Sequence, residues 1–453
     1  MKTSRRSVLN SIFSICCFLS LSHFSFGRSN KLAGKKIIVI GAGISGLVAA
    51  STLIKQGANV IILEAKNYIG GRIKTDWRLG APFEFGAGWI HGPSKDNPIR
   101  ILADNSNASL FITDDESAEL LNILGYEIDE EIWEQVENFW REIMFEEIGI
   151  NSKGSILDAI NKYDKHIWND PNLRWIFSAY TEFDYGGAVQ EISAGLINKM
   201  KKFQTKDVIF TSGYDKIIKL LAKNLQVKCN AIVKSVYYGG TEKIKVSTNS
   251  SFYECDYVIC SVPLGVLKDN FIDFNPRLPD FLKESIEKVG FGTITKLAFK
   301  FKEQFWDNSV QYYYTVTEDT GRWPVWFNYR TFSKEKILMG LCMGDYAKKT
   351  DLMSKEELIE DGLKVLTNIW EDDVGKVQNV LRTSWLNEPF TKGAYSFPRV
   401  DNSEEDFENL AEPIDNKFFF CGEHTDLEYL ATTHGALFTG IRAAKEVIRE
   451  TKK

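Results

Sequence analysis

The chain has 453 residues, of which 44% are hydrophobic and 13% aromatic, and its formal net charge is −6. This length and composition predict two domains, or one large discontinuous domain, with a substantial packed core. The negative charge argues against a nucleic-acid partner and is compatible with a cationic substrate.

The first 27 residues resemble a targeting segment. Arg5 and Arg6 precede an apolar run from Ile12 to Phe26, and small residues near Gly27 are suited to cleavage. The pattern predicts a twin-arginine-like export signal, and therefore a periplasmic location in a bacterium. A general secretory signal and an uncleaved N-terminal anchor are the alternatives. The run is too short to predict stable membrane insertion of the mature chain.

A strand, a glycine turn and a helix are predicted over residues 36–50. Gly41 permits the tight turn, Gly43 lets backbone N–H groups approach a pyrophosphate, and Gly46 allows helix and strand to pack closely. Glu64 ends the next apolar run and can accept hydrogen bonds from an adenosine ribose. This order predicts a dinucleotide-binding domain, and the alternative is a tight turn that binds no ligand.

The remaining elements alternate between helical and strand patterns. Residues 93–202 have apolar positions at helical spacing and are predicted to be helical, and residues 213–222 predict a short amphipathic helix. Strands are predicted at 231–238, 244–248, 257–263, 293–301, 337–343 and 417–422, before a closing helix at 433–449. We therefore predict a discontinuous nucleotide domain from residues 33–92, 205–265 and 395–453. Residues 93–204 and 266–394 would form the substrate domain.

Five cysteines follow the predicted signal, at positions 229, 255, 260, 342 and 421. Their odd number and the lack of a Cys-x-x-Cys pair argue against a disulfide scaffold or a zinc site. We therefore predict no metal and buried thiols, with a disulfide of Cys255 left open.

Four further motifs accompany the dinucleotide pattern. Residues 64–72 read E-A-x-x-x-x-G-G-R, residues 86–92 read G-A-x-W-I-H-G, Lys296 lies in a predicted strand, and residues 421–436 contain G-E-H-T and H-G-A. In these motifs the chain resembles the flavin-dependent amine oxidases, most closely the polyamine oxidases, over nearly everything after residue 34. The resemblance implies an α/β fold with a FAD-binding Rossmann-like (GR2-type) domain and an inserted α+β substrate-binding domain.

The resemblance also implies which residues bind FAD. Gly71 would let the backbone approach the phosphates, Arg72 would supply a cation, and Glu423 would accept hydroxyl groups of the ribitol or phosphate linker. A structural salt bridge is the alternative role for Arg72. The helix that begins at Thr433 would point its N-terminal amides at the reduced ring. The full implied set is Gly41, Gly43, Ser45, Gly46, Glu64, Gly71, Arg72, Gly88, Trp89, Val233, Trp385, Glu423 and Thr433.

Three residues are implied to be catalytic. Lys296 would reach the flavin N5 through a water, where its charge favours electron transfer to O₂. The alternative is a lysine that extends to solvent. His91 would hydrogen-bond the substrate nitrogen or be structural. Tyr395 would form one wall of the aromatic pair that brackets the amine.

Two positions depart from the family pattern. Thr432 replaces the second aromatic residue of the pair, which weakens cation–π or stacking guidance of the amine. Ala394 replaces the cysteine that attaches FAD covalently in one branch, so non-covalent FAD is predicted.

Glu182 and Asp184 are candidates for attracting cationic amines, with solvated surface residues as the alternative.

The implied reaction is FAD-dependent oxidation of a small-molecule amine, polyamine-like or another primary or secondary amine. A hydride passes to flavin N5, the imine hydrolyses to an aldehyde, and O₂ reoxidises the flavin to give H₂O₂. An L-amino-acid oxidase is one alternative, although Trp89–Ile90 replaces its Met-Arg pair. A carotenoid-type desaturase fits Lys296 poorly. A non-catalytic flavin- or amine-binding protein is the third alternative.

Overall fold

The computed structural model describes residues 31–149, 151–240 and 243–451. The predicted export signal at residues 1–27 lies outside them. None of the helices in these ranges combines the length and the hydropathy needed to cross a membrane.

A five-stranded parallel sheet carries the nucleotide-binding pattern. Its strands lie in the order Phe418–Phe420, Tyr257–Cys260, Lys36–Ile40, Asn59–Leu63 and Val227–Lys228. The central strand is buried on both faces, as its continuous run of Ile and Val predicts. Parallel strands end at the same edge, so the segments that follow Ile40, Leu63, Cys260 and Phe420 converge there.

Two helices cover one face of this sheet and pack closely on each other. The nucleotide helix, Ile44–Ile54, follows the glycine turn, and the C-terminal helix is Thr433–Glu450. Gly440 makes the close packing possible, because a Cβ there would collide with the carbonyl oxygen of Ser45. The two helices and the sheet enclose one hydrophobic core.

The second large sheet is a six-stranded mixed sheet. Its order is Val377–Arg382, Thr295–Phe301, Ile337–Cys342, Val325–Asn328, Tyr312–Thr315 and Ala118–Leu121. Strand alternation places Leu297 and Phe299 in the core on one face and Ala298 in the core on the other. Lys296 shares the face of Ala298, at the end of the strand. This position brings the lysine toward the nucleotide sheet.

Four smaller sheets complete the strand pairing of the described chain. They contain Phe252–Cys255, Ile244–Thr248, Val233–Tyr237 and Asp273–Asn275; Trp89–Ile90, Val208–Phe210 and Leu110–Ile112; Gly290–Gly292 with Tyr395–Phe397; and Thr75–Asp76 with Phe83–Glu84.

The other α-helices are Pro98–Asn105, Glu130–Arg141, Ile156–Tyr163, Pro171–Ile176, Phe183–Tyr185, Asp215–Ala222, Leu264–Lys268, Asp280–Lys288, Gly344–Leu352, Lys355–Trp370 and Glu404–Asn409. Short 3₁₀ turns lie at Ile167–Asn169, Leu196–Lys199, Tyr329–Thr331, Glu371–Asp373 and Glu423–Thr425, and π-helical turns at Glu142–Glu147 and Phe177–Glu182.

The structure confirms the predicted elements with one correction. Residues 93–202 are not helical throughout, because they include the strands Leu110–Ile112 and Ala118–Leu121. The strand predicted at 293–301 is found at Thr295–Phe301, and a separate short strand, Gly290–Gly292, precedes it in another sheet. The described cysteines are free thiols, of which only Cys229 is exposed, so the structure forms no disulfide of Cys255.

Candidate active site

The glycine turn leaves the N-terminus of the nucleotide helix open. Gly41 has φ +102°, and a Cβ on Gly46 would collide with the Gly41 carbonyl oxygen. Gly43 is the N-cap residue, with no side-chain cap, and a Cβ placed on it would meet no atom within 4 Å. Free amides and open space at a helix N-terminus suit a phosphate group.

A small cavity of about 90 Å³ adjoins this turn, and Glu64 and Val233 line it. The Glu64 carboxylate accepts hydrogen bonds from the backbone N–H groups of Ala42, at 2.7 Å, and Lys66, at 2.9 Å. These bonds fix the carboxylate and leave lone pairs for the hydroxyls of a ribose. Gly71 also lines this cavity.

A larger cavity of about 490 Å³ extends from the same turn toward the six-stranded sheet. Gly43, Arg72 and Ser261 line both cavities, so the two spaces meet at the helix N-terminus. Ser45 lines the larger one, and its hydroxyl lies 3.3 Å from that of Thr439. The combined shape, with an acidic ribose acceptor at one end and aromatic walls at the other, fits an extended FAD molecule.

Arg72 and Glu423 form an ion pair, with Nη1 2.7 Å from Oε1, in which Glu423 is buried and Arg72 is partly exposed. The same Arg72 nitrogen donates to the carbonyl oxygen of Ala394, and Ser396 donates its hydroxyl to Glu423. Burial alone would raise the pKa of Glu423, but the Arg72 charge holds it below its usual value. Arg72 therefore has the structural role foreseen as its alternative. Both residues also line the larger cavity, which keeps their predicted contacts with FAD possible.

Lys296 is buried and lines the larger cavity. Its Nζ donates to the carbonyl oxygens of Glu84, at 2.9 Å, and Gly86, at 2.6 Å. Gly88 lies beside it, and a Cβ there would be in ordinary van der Waals contact with Nζ, at 3.5 Å. Burial lowers the pKa of Lys296 to about 8, and the nearby Glu84 carboxylate opposes this shift. The lysine does not extend to bulk solvent.

Glu84 is a buried neighbour of Lys296 that the motifs did not single out. Its carboxylate accepts hydrogen bonds from the Thr75 hydroxyl and from the Tyr214 backbone N–H, at 2.8 and 2.9 Å. Burial raises the pKa of Glu84 to about 7. The only signal in the sequence is an acidic residue between two phenylalanines, two positions before the Gly86 motif.

Aromatic side chains form the walls beside Lys296. The Trp89 ring centroid is 5.4 Å from Nζ of Lys296 and 5.7 Å from the Phe183 ring, which it meets edge-on. The Tyr395 hydroxyl donates to the carbonyl oxygen of Phe183 at 2.5 Å. Trp385 lines the same cavity and donates its Nε1–H to Phe85. Lys296, Trp89 and Tyr395 are thus brought to one cavity from distant segments.

The start of the C-terminal helix closes another side of the cavity. Thr432, which replaces the expected aromatic residue, is its N-cap and accepts a hydrogen bond from the Gly435 N–H at 2.9 Å. The Thr433 hydroxyl lies 2.9 Å from that of Tyr214. His434 is buried, and burial lowers its pKa to about 3, so it is neutral.

Charged side chains line the outer part of the cavity. His91 is half exposed, and its Nδ1 lies 2.5 Å from the Asp207 carboxylate. Burial would lower the pKa of His91, but Asp207 raises it above its usual value. Asp184 also lines the cavity and forms an ion pair with Lys202.

The expectation that Glu182 faces incoming amines is wrong. Its side chain is buried, accepts hydrogen bonds from Ser178 and the Val189 N–H, and is absent from the cavity wall. Residues two apart in a helical segment point in different directions, so Asp184 and Glu182 do not share a face.

Known proteins match this chain over most of its length. The profile of the family of flavin-containing amine oxidoreductases matches residues 44–448. Polyamine oxidase 2 of Arabidopsis thaliana is 28% identical over 459 residues, which cover 93% of this chain and 90% of that protein. Lysine-specific histone demethylase 1 homolog 3 of the same plant is 29% identical over 94% of this chain, but the match spans only 31% of that protein.

A solved structure shares the fold. It is a double mutant of putrescine oxidase made to redesign its cofactor binding; it superposes with a TM-score of 0.76 at 20% sequence identity and covers 92% of this chain and 99% of its own. The expected flavin-oxidase fold is confirmed, and the cavity fits the expected cofactor. The chain is a member of the flavin-containing amine oxidoreductase family, an enzyme whose cofactor is FAD.

Proposed function

We propose that this protein is an amine oxidase that uses O₂ as its electron acceptor. One observation carries the proposal: the buried Lys296 ammonium shares a cavity with Trp89 and Tyr395, next to a dinucleotide site. The family membership and the polyamine oxidase relatives support the same reaction class.

When bound, FAD would supply the two-electron acceptor for the amine and the donor to O₂, giving H₂O₂ and an imine that hydrolyses to an aldehyde. The protein would contribute binding and electrostatics. Trp89 and Tyr395 would offer flat surfaces to the neutral amine, and His91 would hydrogen-bond its nitrogen. The Lys296 ammonium would stabilise negative charge that develops on O₂.

We further propose that FAD is bound non-covalently. Ala394, the residue before the cavity tyrosine, offers no thiol, and no cysteine of the described residues lines either cavity. Acid precipitation of the yellow protein should release all the flavin into the supernatant. A yellow pellet would contradict this proposal.

A screen coupled to peroxide detection tests the reaction class. Spermidine, spermine, putrescine, aromatic monoamines and L-amino acids would each be mixed with the purified holoprotein. The proposal predicts turnover of one or more amines and bleaching of the flavin by the same amine without O₂. Turnover of L-amino acids alone would favour the amino-acid oxidase alternative, and no bleaching at all would favour the non-catalytic one.

We also propose export through the twin-arginine route, on the evidence of Arg5, Arg6 and the apolar run that follows. Cell fractionation of a bacterial host should find the protein in the periplasm, and R5K/R6K should leave it in the cytoplasm. Export of the double variant at the parental level would contradict the route.

A further inference from the structure

A lysine ammonium of the protein itself lies in the proposed substrate cavity. Lys202 lines the cavity, its Nζ lies 2.5 Å from Oδ2 of Asp184, and it stands 5.6 Å from the centre of the Tyr185 ring. Its side chain is 58% exposed, compared with 34% for Asp184, so the ammonium is the more accessible of the two charges. The sequence predicted Asp184 as an attractor of amines, but Lys202 already forms an ion pair with it.

This ion pair adjoins the aromatic walls. Asp184 directly follows Phe183, whose carbonyl oxygen binds the Tyr395 hydroxyl and whose ring meets Trp89. We therefore expect the chain of an amine that reaches Tyr395 to pass close to Lys202, which lines the same cavity.

The other charges of the cavity wall are largely paired. Asp207 binds His91, and Lys206 and Lys201 bind Asp114 and Glu428, at 2.8 and 2.7 Å. Asp115 is the remaining carboxylate on the wall, and none of the ion pairs of the described residues includes it. A second ammonium group on a substrate would therefore meet attraction from Asp115 and repulsion from Lys202.

We propose that Lys202 is a specificity-determining residue that disfavours amines with a second positive charge, so that the preferred substrates are monoamines with an uncharged remainder. This inference rests on the proposed amine oxidation. Like charges a few ångströms apart repel each other, and Asp184 offsets this repulsion only in part because Lys202 is the more exposed partner of the ion pair. The Asp184 charge also holds the pKa of Lys202 above its usual value, so the repulsion persists at alkaline pH.

Two amines of equal chain length isolate the effect. Hexylamine and 1,6-diaminohexane differ by one distal amino group, and the ratio of their kcat/KM values is the quantity to measure. We expect Lys202→Met to raise the diamine-to-monoamine ratio by at least about tenfold, because it removes the repulsion and frees the Asp184 carboxylate. The double variant K202M/D184N should raise the ratio less, because no freed carboxylate remains.

Two matched variants control for packing and for net charge. Lys202→Arg retains the charge and should keep the wild-type ratio. Lys199→Met removes one charge outside the cavity wall, where Glu404 is the partner at 3.0 Å, and should change the ratio by no more than about twofold. Calorimetric binding of both protonated amines to the holoprotein at pH 6 gives a readout without turnover. There the diamine should gain about tenfold in relative affinity in K202M.

The outcomes separate the inference from the proposed function. An unchanged ratio in K202M, or an equal change in K202R, would overturn the inference, and the first result would mean that Asp115 already offsets Lys202. If neither these two amines nor any amine of the peroxide screen bleached the flavin, the proposed function would fail, and the calorimetric ratio would still decide whether Lys202 repels a second charge.

Discussion

The behaviour of Lys296 depends on two backbone carbonyls and on burial. Its ammonium is held by Glu84 and Gly86 and faces the cavity next to Trp89. Replacing it with Met should slow reoxidation of the reduced enzyme by O₂ at least tenfold, because the cation that stabilises charge on O₂ is lost. Stopped-flow absorbance measures this rate. Lys300→Met, on the same strand and face, is the control and should reoxidise normally; an unchanged rate in K296M would refute the role.

The pH dependence of the two half-reactions should have opposite signs. The pKa of Lys296 is about 8 because burial disfavours its charged form. Its cation is therefore present at pH 7 and mostly lost by pH 9, and the reoxidation rate should fall over that range. Flavin reduction should rise instead, because only the neutral amine donates hydride. Both rates can be followed in one stopped-flow series, and a flat reoxidation profile would contradict the assignment.

The Arg72–Glu423 pair predicts a stability effect that a simple cofactor contact would not. Removing Arg72 leaves the Glu423 carboxylate buried without its partner, and only 6% of that side chain is exposed. Arg72→Met should therefore lower the free energy of unfolding by about 3 kcal/mol. The double variant R72M/E423Q should recover part of this loss, since no buried charge remains. Urea denaturation measures the free energy of unfolding of both variants. Equal losses in the two would show that the unpaired Glu423 charge is not the cause of the destabilisation.

At the level of elements, two glycines of the same turn should affect different properties, one the affinity for FAD and the other the stability of the fold. A Cβ on Gly43 meets no protein atom and its φ is −69°, so Gly43→Ala should change the free energy of unfolding of the FAD-free protein by less than about 0.5 kcal/mol. The methyl group would occupy the space predicted for the phosphates, and FAD affinity should fall at least tenfold. Fluorescence titration with FAD measures it.

Gly46 provides the matched comparison on the same helix. A Cβ there collides with the backbone carbonyl oxygen of Gly41, so Gly46→Ala should destabilise the protein even without FAD. If Gly43→Ala lost stability as severely as Gly46→Ala, or if it kept its FAD affinity, the phosphate site would be misplaced.

The sequence predicted best what depends on neighbouring residues. The strand, turn and nucleotide helix, and the acid Glu64, lie close together in the chain, and each position has a local steric or hydrogen-bonding reason. The strand Ala118–Leu121 was missed because its partner, Tyr312–Thr315, lies far away in sequence. A short strand of this kind gives little local signal before it pairs.

Contacts between residues far apart in sequence were also missed at the candidate active site. Lys202 and Asp184 meet because the chain folds back on itself near Tyr185, and Glu84 lies beside Lys296 only through tertiary packing. Residue type alone therefore suggested Asp184 as an attractor of amines and could not indicate that a lysine pairs with it. Trp89 and Tyr395 were assigned to the site from the family pattern, which does not require their tertiary contacts to be known. The structure brings both to one cavity.

At the scale of the whole molecule, the site joins segments from along most of the chain. The cavity is lined by Gly43 of the glycine turn, Lys296 of the six-stranded sheet and Thr433 of the C-terminal helix. Neither sheet alone contains both the dinucleotide turn and the lysine. The proposed function therefore depends on how the two sheets pack against each other, and no single sequence motif predicts that packing.

Anaerobic titration of the purified holoprotein with amines tests this account most directly. The visible flavin absorbance is recorded as each amine is added, and air is then admitted. We predict that an amine bleaches the flavin and that O₂ restores the colour with release of one H₂O₂ per flavin. A folded protein that contains no FAD and takes none up, or a flavin that no amine reduces, would contradict it.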